Sequence, residues 1–138
     1  MSNSIKGSCI CRAVTFQFHG PEMVFQYCHC SRCRKFTGSA HSAAILIDPK
    51  QFEWLSGEDQ LGRFEHPEAK HFATSFCKQC GSSLPWLAKT GRAVVIPAGS
   101  LDDDPGIRPS QNIFWDSRAA WREAVETLPQ HAELPRKD

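Results

Sequence analysis

The seven cysteines of this chain fall into three tight groups: Cys9-Ile10-Cys11, Cys28-His29-Cys30-Ser31-Arg32-Cys33 and Cys77-Lys78-Gln79-Cys80-Gly81. No other feature restricts the fold as strongly, because thiols spaced this way are poor disulfide partners and good metal ligands. A disulfide inside a C-x-C or C-x-x-C unit closes a very small, strained ring, and an odd number of thiols cannot all pair. A tetrahedral zinc site, in contrast, commonly takes two ligands from one tight turn and two from another. The third group reads as such a turn, with Gly81 free to take a positive φ. Cys9 and Cys11 stand two apart, which on a strand points both sulfurs to one face. Pairing these two groups predicts a closed, structural four-thiolate site of Cys9, Cys11, Cys77 and Cys80. The long loop it closes makes the clamp entropically valuable. Buried reduced thiols are the bland alternative, and two spaced pairs argue against it.

The rest of the sequence sets the frame for these groups. With 138 residues, 41% of them apolar, the chain has the length and composition of one globular domain with a modest core. We place that domain at residues 1–130, with a poorly ordered tail at 131–138. A formal net charge of +1 gives no bulk attraction to nucleic acid or to anionic membranes. The opening MSNSIKGSCICRAV has no apolar core of signal-peptide length, and no later run approaches a membrane span. The expected location is therefore the cytoplasm, where disulfides are rare.

Short extended segments bounded by turn residues dominate the pattern. Strands are expected at 13–18, 23–27, 42–47, 52–55, 61–65, 72–76 and 92–96, most of them closed by signals such as Gly20-Pro21, Asp48-Pro49 or Ser56-Gly57. Helix is scarce. A short one is expected at 31–37, ending at Gly38. A second, capped by Asp116 or Ser117, would run through Ala120, Trp121, Ala124 and Val125 until Pro129 stops it. The fold class is mainly β with short helices.

Cys28, Cys30 and Cys33 remain. Zinc held by three protein ligands keeps one position open, as catalytic sites do; His29, His41 or His71 could instead close it, and spacing alone favours neither. His29 lies between two of the proposed ligands and is expected to point away from them. Three thiolates leave a zinc centre net negative, poor at activating water but well matched to an incoming soft thiolate. Arg32, Arg34 and Lys35 could offset that charge and hold the carboxylates of an acidic thiol, or could be solvated surface.

Further pieces join the thiols: Gly7-Ser8 before Cys9, Arg34-Lys35 and Gly38 after Cys33, Ser56-Gly57-Glu58, Phe76, Ser82, Gly99-Ser100-Leu101-Asp102, Trp121 and Leu128-Pro129-Gln130. Taken with the order of the three cysteine groups, they resemble the family of glutathione-dependent formaldehyde-activating enzymes and centromere-protein-V-like proteins. The resemblance implies coiled antiparallel β-sheets around zinc, similar to type B methionine sulfoxide reductases. It also implies two zinc ions per chain, with Cys9, Cys11, Cys77 and Cys80 structural and Cys28, Cys30 and Cys33 at the reactive site. The family's namesakes join glutathione and formaldehyde to S-hydroxymethylglutathione, a carbon–sulfur lyase reaction read backwards. Two positions depart from the family's habit: Arg12 replaces a Gly after the second cysteine, and Asn112 replaces a His.

The expected activity is thus that of a zinc-dependent carbon–sulfur lyase acting on a small thiol and a small aldehyde, with Arg32, Arg34 and Lys35 binding the thiol's carboxylates. The alternative is a non-catalytic zinc module contacting protein or nucleic acid through its basic loop and tryptophans such as Trp54, Trp86 or Trp115; the balanced charge weakens the nucleic-acid version. A dithiol redox enzyme using Cys30 and Cys33 ranks third, because no thioredoxin-like βαβ pattern surrounds them.

Overall fold

Alternating apolar and polar residues call for narrow strands with one buried face. The computed structural model, which describes residues 3–122 and 128–135, is built from such strands. In chain order they are β1 (Ile5–Ser8), β2 (Thr15–Phe18), β3 (Val24–Cys28), β4 (Ser42–Ile47), β5 (Phe52–Ser56) and β6 (Leu61–Glu65). There follow β7 (Ala73–Cys77), β8 (Ser83–Leu84), β9 (Trp86–Leu87), β10 (Val94–Pro97) and β11 (Gln111–Ile113). One α-helix, α1 (Ser31–Thr37), sits between β3 and β4 and is closed by Gly38 in the left-handed conformation, as the sequence predicts. No helix among the described residues is long and apolar enough to cross a membrane.

The strands form three sheets, ordered β1-β2-β5, β11-β3-β4-β10-β9 and β6-β7-β8. Their pairings are antiparallel except that of β11 with β3, where Ile113 lies opposite Cys28. The mainly antiparallel β class therefore holds. All three sheets contribute to one core: Val14, Phe16 and Phe18 in and just before β2, Ile45 and Ile47 of β4, Leu84 of β8, and Val94 and Ile96 of β10. Burying each such side chain contributes on the order of 1.5–3 kcal/mol. Cys9 and Cys77 belong to the same cluster, so one group of thiols is built into the core itself.

The turn after β5 is a point of little tolerance. Gly57 has φ +76, and a Cβ there would collide with the carbonyl of Ala13 on the neighbouring chain segment. Gly57→Ala is expected to destabilise the protein by about 3 kcal/mol through combined backbone strain and overpacking, read as a lowered midpoint in urea.

Near the C-terminus the structure departs from the expected helix. Trp115–Ser117 form a single 3-10 turn, and no α-helix follows through Arg122. The rest of that expectation, at 123–127, lies outside the described residues. The physical reason is Trp115, which packs edge-on against His29 with centroids 4.9 Å apart and carries the guanidinium groups of Arg118 and Arg122 over its ring at 4.6 and 5.1 Å. These contacts hold the segment in a shape that intrinsic helix propensity, a weak preference, does not overcome.

Candidate metal centres and the cleft between them

The first cluster joins turns from two different sheets. Between β1 and β2 the chain reverses, and the Arg12 N–H donates to the Cys9 carbonyl at 3.0 Å. Cys9 and Cys11 therefore lie in a turn and not along a strand, because β1 can pair with β2 only if the chain doubles back here. Arg12 closes the turn with φ 64, the left-handed conformation that explains why a glycine suits this position; for a side-chain-bearing residue it costs roughly 1–2 kcal/mol. The second turn follows β7: Cys77 ends the strand, and Gly81, at φ 78, donates its N–H to the Cys77 carbonyl at 2.8 Å. Ser82 ties the turns together by accepting the Ile10 N–H at 2.9 Å.

The four sulfurs of Cys9, Cys11, Cys77 and Cys80 all lie within 4.8 Å of one another. Cys9 Sγ is 3.6 Å and Cys77 Sγ 3.8 Å from Cys11 Sγ. Disulfides need about 2.05 Å, whereas a tetrahedral zinc with Zn–S near 2.3 Å sets its sulfurs about 3.8 Å apart. The cluster thus has the dimensions of a tetrahedral metal site. Its surroundings favour thiolates: the Val14 N–H points at Cys9 Sγ at 3.3 Å, and the Cys80 pKa is lowered to about 5 by the Ser82 hydroxyl and by the N–H groups of Cys11 and Ser82. At Cys11 the Ala13 N–H also lowers the pKa, but desolvation and the neighbouring sulfurs outweigh it and push the thiol up to about 12. Mutual repulsion of this kind is what a bound dication relieves.

The second cluster is local in sequence. Cys28 ends β3, Cys30 is the N-cap of α1, and Cys33 is buried in the first helical turn. Cys30 Sγ accepts the Cys33 N–H at 3.4 Å, so the cap that starts the helix also fixes the spacing of the thiols. The three sulfurs lie within 4.8 Å of one another, and among the described residues no His, Asp, Glu or further Cys joins them. The Cys28 pKa is lowered to about 6, chiefly by the Cys33 thiol and against desolvation. Cys33 is pushed up, first by Cys28 and then by burial, while Ser42 at the start of β4 pulls the other way.

The histidines have other partners. His29 is fully buried, shares a hydrogen bond from Nε2 to Asn112 Oδ1 at 2.8 Å, and packs against Trp115 and His41. His41 stacks on Tyr27 and bonds the Ser42 carbonyl through Nδ1 at 3.2 Å. His71 is exposed. Asn112, noted in the sequence only as a departure, is thus the anchor of a buried imidazole whose Nδ1 has no partner. Asn112→Ala would orphan the second ring nitrogen as well, and is expected to cost about 1–3 kcal/mol in chemical denaturation. Neither the Asn112 contact nor the Trp115 packing is recognisable in the sequence, since both depend on β11 lying beside β3.

A cleft of about 540 Å³ runs against both clusters, lined among others by Cys33 and Ser42 on one hand and by Cys9, Ile10 and Arg12 on the other. Its volume falls within the roughly 300–1,000 Å³ of small-molecule sites. Of the cations singled out in the sequence, Arg32 and Lys35 are exposed and Arg34 is half-buried, and none of the three lines this cleft. Arg12, itself exposed, and Asp102 are the charged residues among those that line it.

Known proteins resemble this chain in sequence and in fold. The family model described as glutathione-dependent formaldehyde-activating enzyme matches residues 4–117. A curated protein of Halomonas elongata, named provisionally as a glutathione-dependent formaldehyde-activating enzyme, is 26% identical over 136 residues, covering 91% of this chain and 83% of its own. A crystal structure of a Rhodobacter sphaeroides protein superposes with a TM-score of 0.57 at 19% identity, covering 78% of this chain and 98% of that one, and supports the fold.

Proposed function

Because the chain belongs to the glutathione-dependent formaldehyde-activating enzyme family, we propose that it is a zinc-dependent carbon–sulfur lyase that joins a small thiol to formaldehyde or a related aldehyde, and releases them in reverse. The observation that carries this reading is the Cys28, Cys30, Cys33 group, with three donors and no fourth among the described residues, bordering through Cys33 on a cleft of substrate size. The donor set fits zinc: three soft sulfurs at ligand spacing, with an N–H already aimed at Cys30. The Cys9, Cys11, Cys77, Cys80 group fits a second, closed and structural ion.

When bound at the three-thiol group, zinc would hold an incoming thiol in its deprotonated form at the remaining position. The protein's part is placement. Helix α1 and β3 fix the three sulfurs, and Cys33 borders the cleft in which thiol and aldehyde meet. There the substrate sulfur forms a bond to the aldehyde carbon, the carbonyl π pair moves to oxygen, and the oxygen takes up the proton released when the thiol ionised. Orientation and local concentration, not strong electrophilic activation, supply the rate gain.

The test is direct. Zinc-loaded protein mixed with glutathione and formaldehyde should speed the appearance of the S-hydroxymethyl adduct, followed by NMR exchange, above the spontaneous rate. A rate equal to that of the buffer control across common thiols and aldehydes would overturn the assignment.

A further inference from the structure

We infer that Arg12 is a specificity-determining residue, binding a carboxylate of the thiol substrate in the cleft between the two cysteine clusters; the inference rests on the thiol chemistry proposed above. Three observations combine. Arg12 closes the turn that carries Cys9 and Cys11, and it lines the same cleft that Cys33 borders. Its guanidinium forms no ion pair among the described residues, where the ion pairs are Arg63 with Glu65 and Arg108 with Asp104. The other charged side chain of the wall, Asp102, is held by the Ser8 hydroxyl at 3.0 and 2.9 Å to its two oxygens.

A carboxylate held by Ser8 on one part of the wall and the exposed, unpaired Arg12 on another polarise the cleft. An anionic substrate group is repelled from Asp102 and drawn to Arg12, while an ammonium group prefers the reverse. The cleft therefore suits a thiol that carries a free carboxylate, and suits one with an amino-acid end best. A planar guanidinium is also the side chain best shaped to grip a carboxylate with two parallel hydrogen bonds. Arg32, Arg34 and Lys35 lie outside the cleft lining, so the carboxylate contact falls to Arg12 in their place.

The arrangement also gives the Cys9, Cys11, Cys77, Cys80 cluster a second role. By holding the turn in place it positions Arg12, so the structural site forms a wall of the substrate site.

Calorimetric titration of the zinc-loaded full chain with three thiols tests this: glutathione, glutathione diethyl ester and 2-mercaptoethanol. Wild-type protein should bind glutathione at least about tenfold more tightly than the diethyl ester, the range expected for a charge-assisted pair. Arg12→Gln, checked for unchanged metal content, should remove that preference, and Arg12→Lys should restore part of it. 2-Mercaptoethanol, with no carboxylate, should bind wild type and Arg12→Gln alike. A full preference retained by Arg12→Gln overturns the inference. Wild-type protein that binds all three thiols equally overturns it while leaving the proposed reaction standing, and protein that binds none overturns both.

Discussion

Cys77→Ser is expected to abolish the cooperative thermal transition of this protein. Cys77 is fully buried within the core cluster, and its sulfur lies 3.8 Å from that of Cys11, 66 positions away in the chain. A metal bridging these turns closes a loop long enough that, by analogy with disulfides, its closure entropy is about 4 kcal/mol. Binding of a structural zinc supplies roughly 10–16 kcal/mol in small zinc-folded domains, which equals or exceeds the roughly 5–15 kcal/mol by which whole domains are stable. Serine keeps the size of the side chain but not its thiolate, so a metal held there would be lost and a hydroxyl buried in its place. Circular dichroism on heating and metal analysis of the same sample check the outcome. A variant with the wild-type melting curve would show that the cluster holds nothing that matters to the fold. Chelator treatment of the wild-type protein should reproduce the variant's behaviour.

Cys33→Ser should act in the opposite way, on chemistry and not on folding. Cys33 is held in the first turn of α1, a short element at the edge of the core, and its cluster lies outside the set of residues that pack the three sheets together. The expected result is a loss of one metal equivalent, a fall in adduct formation of at least about 100-fold, and a melting temperature within a few degrees of wild type. The rate figure follows from comparison with outer-shell partners of metal ligands, whose loss alone costs roughly 10–100-fold. Removing a ligand should cost no less. Metal content and rate are to be measured on one preparation. Wild-type rates with a single bound metal would move the reaction away from the three-thiol group.

Much of the fold was legible because its signals are local. Strands β4 and β6 and helix α1 have the bounds that turn residues and capping glycine mark for them. Other strands shifted by a few positions; β10 runs on through Pro97, which was expected to stop it, pairing there with Ala44. β1, β8, β9 and β11 were not anticipated; β8 and β9 are two residues each, too short to show alternation. Ile5–Ser8 carries one β-branched residue, and Gln111–Ile113 is mostly polar, so neither alternates strongly enough to be seen. β1 and β11 are strands because β2 and β3 offer them edges, as β7 and β10 do for β8 and β9. The tryptophans divide likewise: Trp54 packs with Phe16 and Phe52 and Trp86 with Phe72, while Trp115 braces His29.

The same division runs through the candidate site. Thiol spacing along the chain settled which cysteines share a turn, since ligands two or three residues apart do so whatever surrounds them, whereas the meeting of Cys9 and Cys11 with Cys77 and Cys80 needed two sheets to be brought together. The gathering of the three-thiol group needed only the end of one strand and the first turn of the helix after it. The three-dimensional packing decided the rest: that the Cys9–Cys11 pair sits in a reversal, that His29 meets Asn112, and that Arg12, exposed like Arg32 and Lys35, is the one of these three that lines the cleft. Each of these depends on how separate sheets are set against one another. Side-chain spacing within a segment carries no information about that placement, which is fixed by the burial of a shared core.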